Sequence, residues 1–290
     1  MTLASAERTT AVLSGTALAK DIRARVSTTA AELPAAGTEP RLAVVVATDD
    51  ESTAWYVRSI AKAAAGTGIR CDVVDLGASA TPERIRGELG TLSEDPAVHG
   101  IVLQTPLPGA ASLEDLATAI TPEKDVDGAN PVSLGRLSAG LPAFAPATAA
   151  AVAELLEHHE ILLSGRRAVV VGRSNVVGRP AAQLLLRRDA TVTVCHRYTR
   201  DLAAHTRQAE VLVVAVGKVG LIGAEHVSPG AVVIDVGTNP TEDGGLVGDV
   251  DADAVTGLAA GLTPVPGGVG PVTTALLLRH TVESAWRSTA

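Results

Sequence analysis

Apolar and polar positions along this chain alternate between two patterns. Short, nearly unbroken apolar runs recur: RLAVVVA (41–47), CDVVDL (71–76), HGIVLQTP (99–106), RAVVVG (167–172), ATVTVCH (190–196), VLVVAVG (211–217) and AVVIDVG (231–237). Runs of this length, rich in β-branched residues, predict buried strands. Between them, apolar residues return at helical spacing. Leu18, Ile22 and Val26 predict a first helix over roughly 16–33. Further helices are predicted over 52–66, over 81–89 with Pro82 in the first turn, over 112–120 with Ser112 as N-cap, and over 147–158. Residues 1–10 read as a frayed polar lead. The alternation pauses over 121–147, where Pro122, Gly128, Pro131, Gly135, Gly140, Pro142 and Pro146 predict a crossover between domains. The loop TPVPGGVGP (263–271) precedes a final helix. Apolar strands alternating with helices predict an α/β fold with parallel sheets covered on both faces.

Composition narrows the function classes. The chain has 290 residues, 46% of them apolar and 19% charged, which suits two packed domains and excludes a mostly disordered chain. Five aromatic side chains and a net charge of −8 argue against a nucleic-acid partner. No apolar run is long enough to span a membrane. The start MTLASAERTT lacks a basic segment followed by an apolar one, so no secretory signal is expected. Cys71 and Cys195 read as reduced thiols of a cytoplasmic protein. No His, Cys and carboxylate cluster has zinc-site spacing, so no metal is expected, and His158 and His159 read as a solvated helix end.

The strand RAVVVG runs into GRSNVVGRP (172–180). A strand, a tight turn at Gly172 and a helix starting near Gly178 form a candidate dinucleotide site. Backbone N–H groups at the helix start can hold a pyrophosphate. Arg197 stands just after the next strand, 19 residues beyond Gly178. A basic residue there favours the 2′-phosphate of NADP, and Arg173 adds a second guanidinium. Arg197 also reads, alternatively, as an ordinary loop arginine. The candidate cofactor residues are Gly172, Arg173, Ser174, Val177, Gly178, Arg197 and Thr238.

Taken with GIVLQTPLP, PEKDVDGANPVSLGRL, VVAVGK, GAVVIDVG, VGDV and TPVPGGVGPVT, these motifs occur in an order that resembles the bifunctional methylenetetrahydrofolate dehydrogenase/cyclohydrolase family (FolD). The resemblance runs from about residue 12 to 287. It implies a catalytic domain over 1–146 completed by the C-terminal helix 272–290, a Rossmann-type NAD(P)-binding domain over 147–271, a cleft between them and a homodimer. It also implies oxidation of 5,10-methylenetetrahydrofolate with NAD(P)+ to the methenyl compound, then hydrolysis to 10-formyltetrahydrofolate. By resemblance, Tyr56 packs on the folate, Gln104 takes part in catalysis, and Asp127 holds the amino-bearing edge of the pterin. A carboxylate can pair two parallel donors there. Pro271 and Gly268 are expected at the folate, with Gly267, Gly268 and Gly270 allowing close backbone approach.

The family's Y-V-x-x-K signature is broken: the chain reads Tyr56-Val57-Arg58-Ser59-Ile60. Residues i and i+4 share a helix face, so Ile60 is expected beside Tyr56 in the cleft, with Lys62 and Arg58 facing away. Thr105, Ala147, Ala149 and the segments 50–53 and 129–131 also depart from the family pattern, all around the substrate. Hydride transfer is chiefly a positioning problem. Hydrolysis needs a titratable group, which isoleucine cannot supply. The expectation is an NADP-dependent dehydrogenase whose cyclohydrolase activity is lost or weak. A fully bifunctional enzyme, a paralogue acting on a non-folate imine and a non-catalytic binding protein remain alternatives.

Overall fold

A computed structural model describes residues 9–241 and 244–289. Residues 1–8, most of the predicted polar lead, lie outside the described residues. In chain order the elements are β1 (Ala11–Val12), α1 (Thr16–Glu32), β2 (Arg41–Val46), α2 (Glu51–Ala65), β3 (Arg70–Asp75), α3 (Pro82–Glu94) and β4 (Gly100–Leu103). They continue with α4 (Leu113–Ala117), α5 (Pro131–Ser138), α6 (Ala147–His158), β5 (Arg167–Val171), α7 (Gly178–Leu186), β6 (Thr191–Cys195), α8 (Leu202–Thr206) and β7 (Val211–Val214). The chain ends through β8 (Val232–Asp235), β9 (Asn239–Pro240), β10 (Leu246–Val247), α9 (Ala252–Val255), β11 (Gly261–Leu262) and α10 (Val269–Arg287).

Two compact units result. One holds residues 19–147 and 273–290, the other residues 1–18 and 148–272. In the first, β3-β2-β4 form a parallel sheet. Residues 124–125 run beside β4 through an Ile101–Asp125 bridge, with Ile101 N–H donating to the Lys124 carbonyl at 2.8 Å. Leu42 to Val45 are wholly buried, and Val45, Ile85, Leu89, Ile101 and Leu116 share one aliphatic core. Burying such side chains contributes roughly 1.5–3 kcal/mol each, which replaces the missing aromatics.

In the second unit six parallel strands run in the order β1-β11-β8-β7-β5-β6. Val171 pairs with both Cys195 and Val214, and Val214 with Asp235. The strands therefore end level, and the loops starting at Gly172, His196, Ala215 and Val236 share one edge. Strand order turns at β5, with β6 on one side and β7 on the other. In sheets of this kind ligands bind at that point, outside the carboxyl ends.

Two features differ from the sequence expectations. The strand Ala11–Val12, within the stretch expected in the first domain, pairs with Gly261 and Leu262 and extends the nucleotide sheet. A two-residue strand is too short to show any period. The presumed irregular crossover 121–147 contains α5. Pro131 sits at its start and Asn130 caps it, accepting from Val132 N–H at 2.6 Å. The proline read as a breaker is a helix initiator.

Candidate active site

The nucleotide edge begins at Gly172, whose φ is +129°. A Cβ there would lie 2.1 Å from the Ala215 carbonyl oxygen, and one on Gly178 would lie 2.2 Å from the Gly172 carbonyl oxygen. Only glycine fits either place, so the turn closes tightly on the neighbouring β7 loop. Ser174 Oγ accepts from Val177 N–H at 3.2 Å and Gly178 N–H at 3.3 Å, and the Ser174 carbonyl accepts from Arg179 N–H at 3.1 Å. Three N–H groups at the start of α7 are thus gathered onto Ser174. The side chains flanking the turn add charge to it.

Those side chains are Arg173 and Arg197, both exposed. They converge on Tyr198, which sequence reasoning passed over. The Arg197 guanidinium lies 4.7 Å from the Tyr198 ring centre and donates to its hydroxyl at 2.6 Å, and Arg173 lies 5.8 Å from the same ring. Cation–π contacts hold both charges in place with little entropy left to lose. His196 is a turn-former: its Nδ1 accepts from Tyr198 N–H at 3.3 Å, and its carbonyl from Thr199 N–H at 2.8 Å. Two guanidiniums flanking an exposed aromatic ring suit a phosphate dianion beside a flat heterocycle. Thr238, exposed after β8, stands on the same sheet edge.

In the other unit the segment Lys124-Asp125-Val126-Asp127-Gly128 splits its two carboxylates. Asp125 is buried and accepts from Ala129 N–H at 3.0 Å and Asn130 N–H at 2.9 Å. It fastens the loop. Asp127 is half-buried, and no group of its unit hydrogen-bonds its carboxylate among the described residues. Burial, with the Asp125 charge adding to it, pushes the Asp127 carboxyl up to about 7. The loop is held from behind by His280, whose Nδ1 is 2.8 Å from the Val126 carbonyl oxygen and whose ring stacks on Phe144 at 4.8 Å. Burial holds His280 down at about 4, so its neutral ring donates there.

Tyr56 and Gln104 are brought to the same sheet end. Asp50 caps α2, accepting from Thr53 N–H at 2.7 Å, and Thr53 Oγ1 donates to the Thr105 carbonyl at 3.2 Å. That bond ties the first turn of α2 to the loop after β4. Gln104 is buried there, its N–H on the Val45 carbonyl at 2.9 Å. The Tyr56 hydroxyl is pushed up to about 12, chiefly by burial and then by the charge of Asp127, while a hydrogen bond with Thr274 opposes the shift.

Ile60 does not project beside Tyr56 into open space. It is fully buried, in the stripe Thr53, Val57, Ile60 and Ala64 that faces the core. Four residues carry the helix about 40° beyond a full turn, enough to leave Tyr56 at the margin and Ile60 inside. Lys62 and Arg58 are exposed, as their offsets require. Gly268 and Pro271 belong to the nucleotide unit. The close approach Gly268 permits is to the chain itself: its carbonyl oxygen lies 2.1 Å from where a Cβ on Gly15 would stand. Among the described residues no group of three metal-ligating side chains occurs.

Known proteins agree with this layout. The family model for the catalytic domain of tetrahydrofolate dehydrogenase/cyclohydrolase matches residues 13–127, and that for its NAD(P)-binding domain matches 146–289. The chain is 72% identical over 284 residues to bifunctional protein FolD 1 of Saccharopolyspora erythraea, covering 98% of this chain and 97% of that one. It resembles the crystal structure of the bifunctional FolD enzyme of Campylobacter jejuni with a TM-score of 0.92 and 42% identity, over 96% and 99% of the two chains. A Trypanosoma brucei FolD, solved with NADP cofactor and an inhibitor, superposes with a TM-score of 0.91 at 40% identity, over 97% and 98%. With both halves matched in order and its curated relatives matched end to end, this chain belongs to the tetrahydrofolate dehydrogenase/cyclohydrolase family.

Proposed function

We propose that this protein oxidises 5,10-methylenetetrahydrofolate to 5,10-methenyltetrahydrofolate with NADP+, and that its hydrolysis of the methenyl product is lost or feeble. The observation that carries the proposal is the pairing of a complete nucleotide edge with a buried isoleucine where the family signature has lysine. Arg173 and Arg197, braced on Tyr198, suit the 2′-phosphate of NADP. The glycines at 172 and 178 keep the turn tight enough to carry them.

NADP+, when bound, supplies the hydride acceptor. The protein's own part is to hold the donor carbon in line, which is positioning rather than proton transfer. Asp127, which has no hydrogen-bond partner in its unit among the described residues, can pair with the donor edge of the pterin once ionised. Tyr56, held protonated at neutral pH, offers a flat face and a hydroxyl donor, not a base. Gln104 orients through its amide and has no titratable proton. Hydrolysis asks for more: water must add to the methenyl carbon, and protons must move as the adduct opens. Ile60 contributes none, and an Asp127 engaged with the pterin is not free to serve.

A second reading, full bifunctionality, is favoured by the bifunctional name of the Saccharopolyspora relative. One assay separates the two: purified protein with methylenetetrahydrofolate and NADP+, following NADPH and methenyltetrahydrofolate together. We expect both to rise in step. NADPH without methenyl accumulation supports the bifunctional reading. No NADPH at all supports a non-folate imine substrate.

The exposed outer edge of β3, which has no strand partner there among the described residues, supports a homodimer. Val73 on it is 47% exposed. The two free cysteines fit a reducing, cytoplasmic setting. No helix among the described residues is long and apolar enough to cross a membrane.

A further inference from the structure

The loop after β7 is held by a carboxylate that the chemistry above does not use. Asp249 is wholly buried. Its Oδ2 accepts from Val216 N–H at 2.7 Å and Gly217 N–H at 3.0 Å. Its Oδ1 accepts from Lys218 N–H at 2.8 Å and Asn239 Nδ2 at 3.0 Å. Three consecutive backbone N–H groups aimed at one point form an anion nest. Here the chain's own side chain fills it.

A second buried carboxylate sets Asp249 in turn. Asp235 Oδ1 accepts from Asp249 N–H at 3.0 Å and Gly237 N–H at 2.9 Å, and its Oδ2 from Val250 N–H at 3.0 Å. The packing leaves no slack. A Cβ on Gly237 would lie 2.5 Å from the Asp249 carboxyl carbon, and one on Gly248 would lie 1.8 Å from Asp235 Oδ2. Four donors on one buried carboxylate compensate its desolvation, so the arrangement is stable only while all four are met.

The place of this loop gives the arrangement a use. Residues 215–218 leave the C-terminal end of β7, beside β5, where strand order turns. Ala215 is the group that a side chain on Gly172 would strike. A dinucleotide anchored at Arg173 and Arg197, on the β5–β6 side, runs across this gap with its far end over β7. Resting on the NADP-dependent reading above, we propose that Asp249 is a positioning residue that fixes loop 215–218 as the wall against which the nicotinamide end of the dinucleotide is held. The arginines supply the affinity, and Asp249 supplies the alignment.

The variants that test this are Asp249→Asn, which keeps the shape but puts an NH2 where two donors need an acceptor, and Asn239→Ala, which removes one of the four donors together with its weaker bond to the Val247 carbonyl at 3.3 Å. Two measurements are made on the full-length protein. NADPH titration gives Kd and the anisotropy of the bound nicotinamide emission, and steady-state turnover gives kcat and KM. We expect Asp249→Asn to hold NADPH within about threefold of the parent Kd, to lower the bound-ring anisotropy, and to lower kcat about 10- to 100-fold. Asn239→Ala shifts the same quantities the same way, kcat by about twofold to fivefold. A kcat and anisotropy equal to the parent in both variants, with only Tm lowered, overturns the proposal. So does a Kd that rises in step with the loss of kcat. Should Asp249→Asn fail to fold, Asn239→Ala decides alone. Should the parent not reduce NADP+ with methylenetetrahydrofolate, the substrate reading fails, and the anisotropy comparison still decides the role of Asp249.

Discussion

The two sheet ends use buried carboxylates in opposite ways. In the nucleotide unit Asp235 and Asp249 are saturated with backbone donors, and the charges left for a ligand are exposed arginines resting on a ring. In the other unit Asp125 is saturated, but Asp127, two residues on, has no hydrogen-bond partner in its unit among the described residues. The first site is assembled before anything binds. The second keeps one unmet acceptor whose ionisation awaits a donor. An edge finished in advance needs no titrating group to take up an anion.

The sharpest way to break the nucleotide side is Gly172→Ala. Its Cβ meets the Ala215 carbonyl at a φ that alanine rarely adopts. We expect a loss of stability of about 2–4 kcal/mol in denaturant melts and no measurable NADP binding. Arg197→Ala comes next: NADP+ affinity should fall about 10- to 100-fold, roughly 1.5–3 kcal/mol for a charge-assisted contact, with NAD+ affinity unchanged. Equal losses for both nucleotides in a competition titration would remove Arg197 from the 2′-phosphate.

The substrate side is probed by pH. A carboxyl raised to about 7 is ionised above that value and neutral below it. The KM for folate should therefore rise as pH falls through about 7, and Asp127→Asn should raise KM about tenfold at pH 8 and flatten the profile. Stability moves the other way. Between pH 7 and 4 the folded chain holds a proton on Asp127 that the unfolded chain has released, so this group favours folding as pH falls. His280, held down at about 4, opposes it, because below pH 6.5 only the unfolded chain gains that proton. Asp127→Asn should therefore steepen acid unfolding in circular dichroism melts. The smallest effect is Tyr198→Leu, which frees both arginines and should weaken NADP+ about threefold.

Much of this was legible in the sequence because the strands are short, apolar and bounded by glycines. RAVVVG and GRSNVVGRP gave the turn, and Arg197 its distance from Gly178. The periodicity could not reveal α5, because Pro131 signals a break and an N1 position alike. It could not place Ile60, because sharing a face with Tyr56 leaves about 40° open, and that angle separates margin from core. Tyr198 and Asp249 were missed for a common reason. Each acts on groups brought close only by the fold, Tyr198 on an arginine 25 residues upstream and Asp249 on a loop more than 30 residues away. VGDV did carry a signal: an aspartate following a glycine in a strand-rich, glycine-rich stretch, with no solvent-exposed role to explain it.

The pairing of Val12 with Leu262 has a consequence for how this protein can be cut and recombined. Each unit is made of two separate stretches of chain, and the path passes from one to the other within α1, α6 and α10. A fragment beginning at residue 147 and ending at 271 would leave β11 a bare outer edge and strand Gly15's carbonyl neighbour, Gly268, without its lid. The nucleotide module is therefore not a cassette. A swap that brings in a new dinucleotide preference must bring in the strand at Ala11–Val12 as well, because that strand closes the edge of the sheet being exchanged.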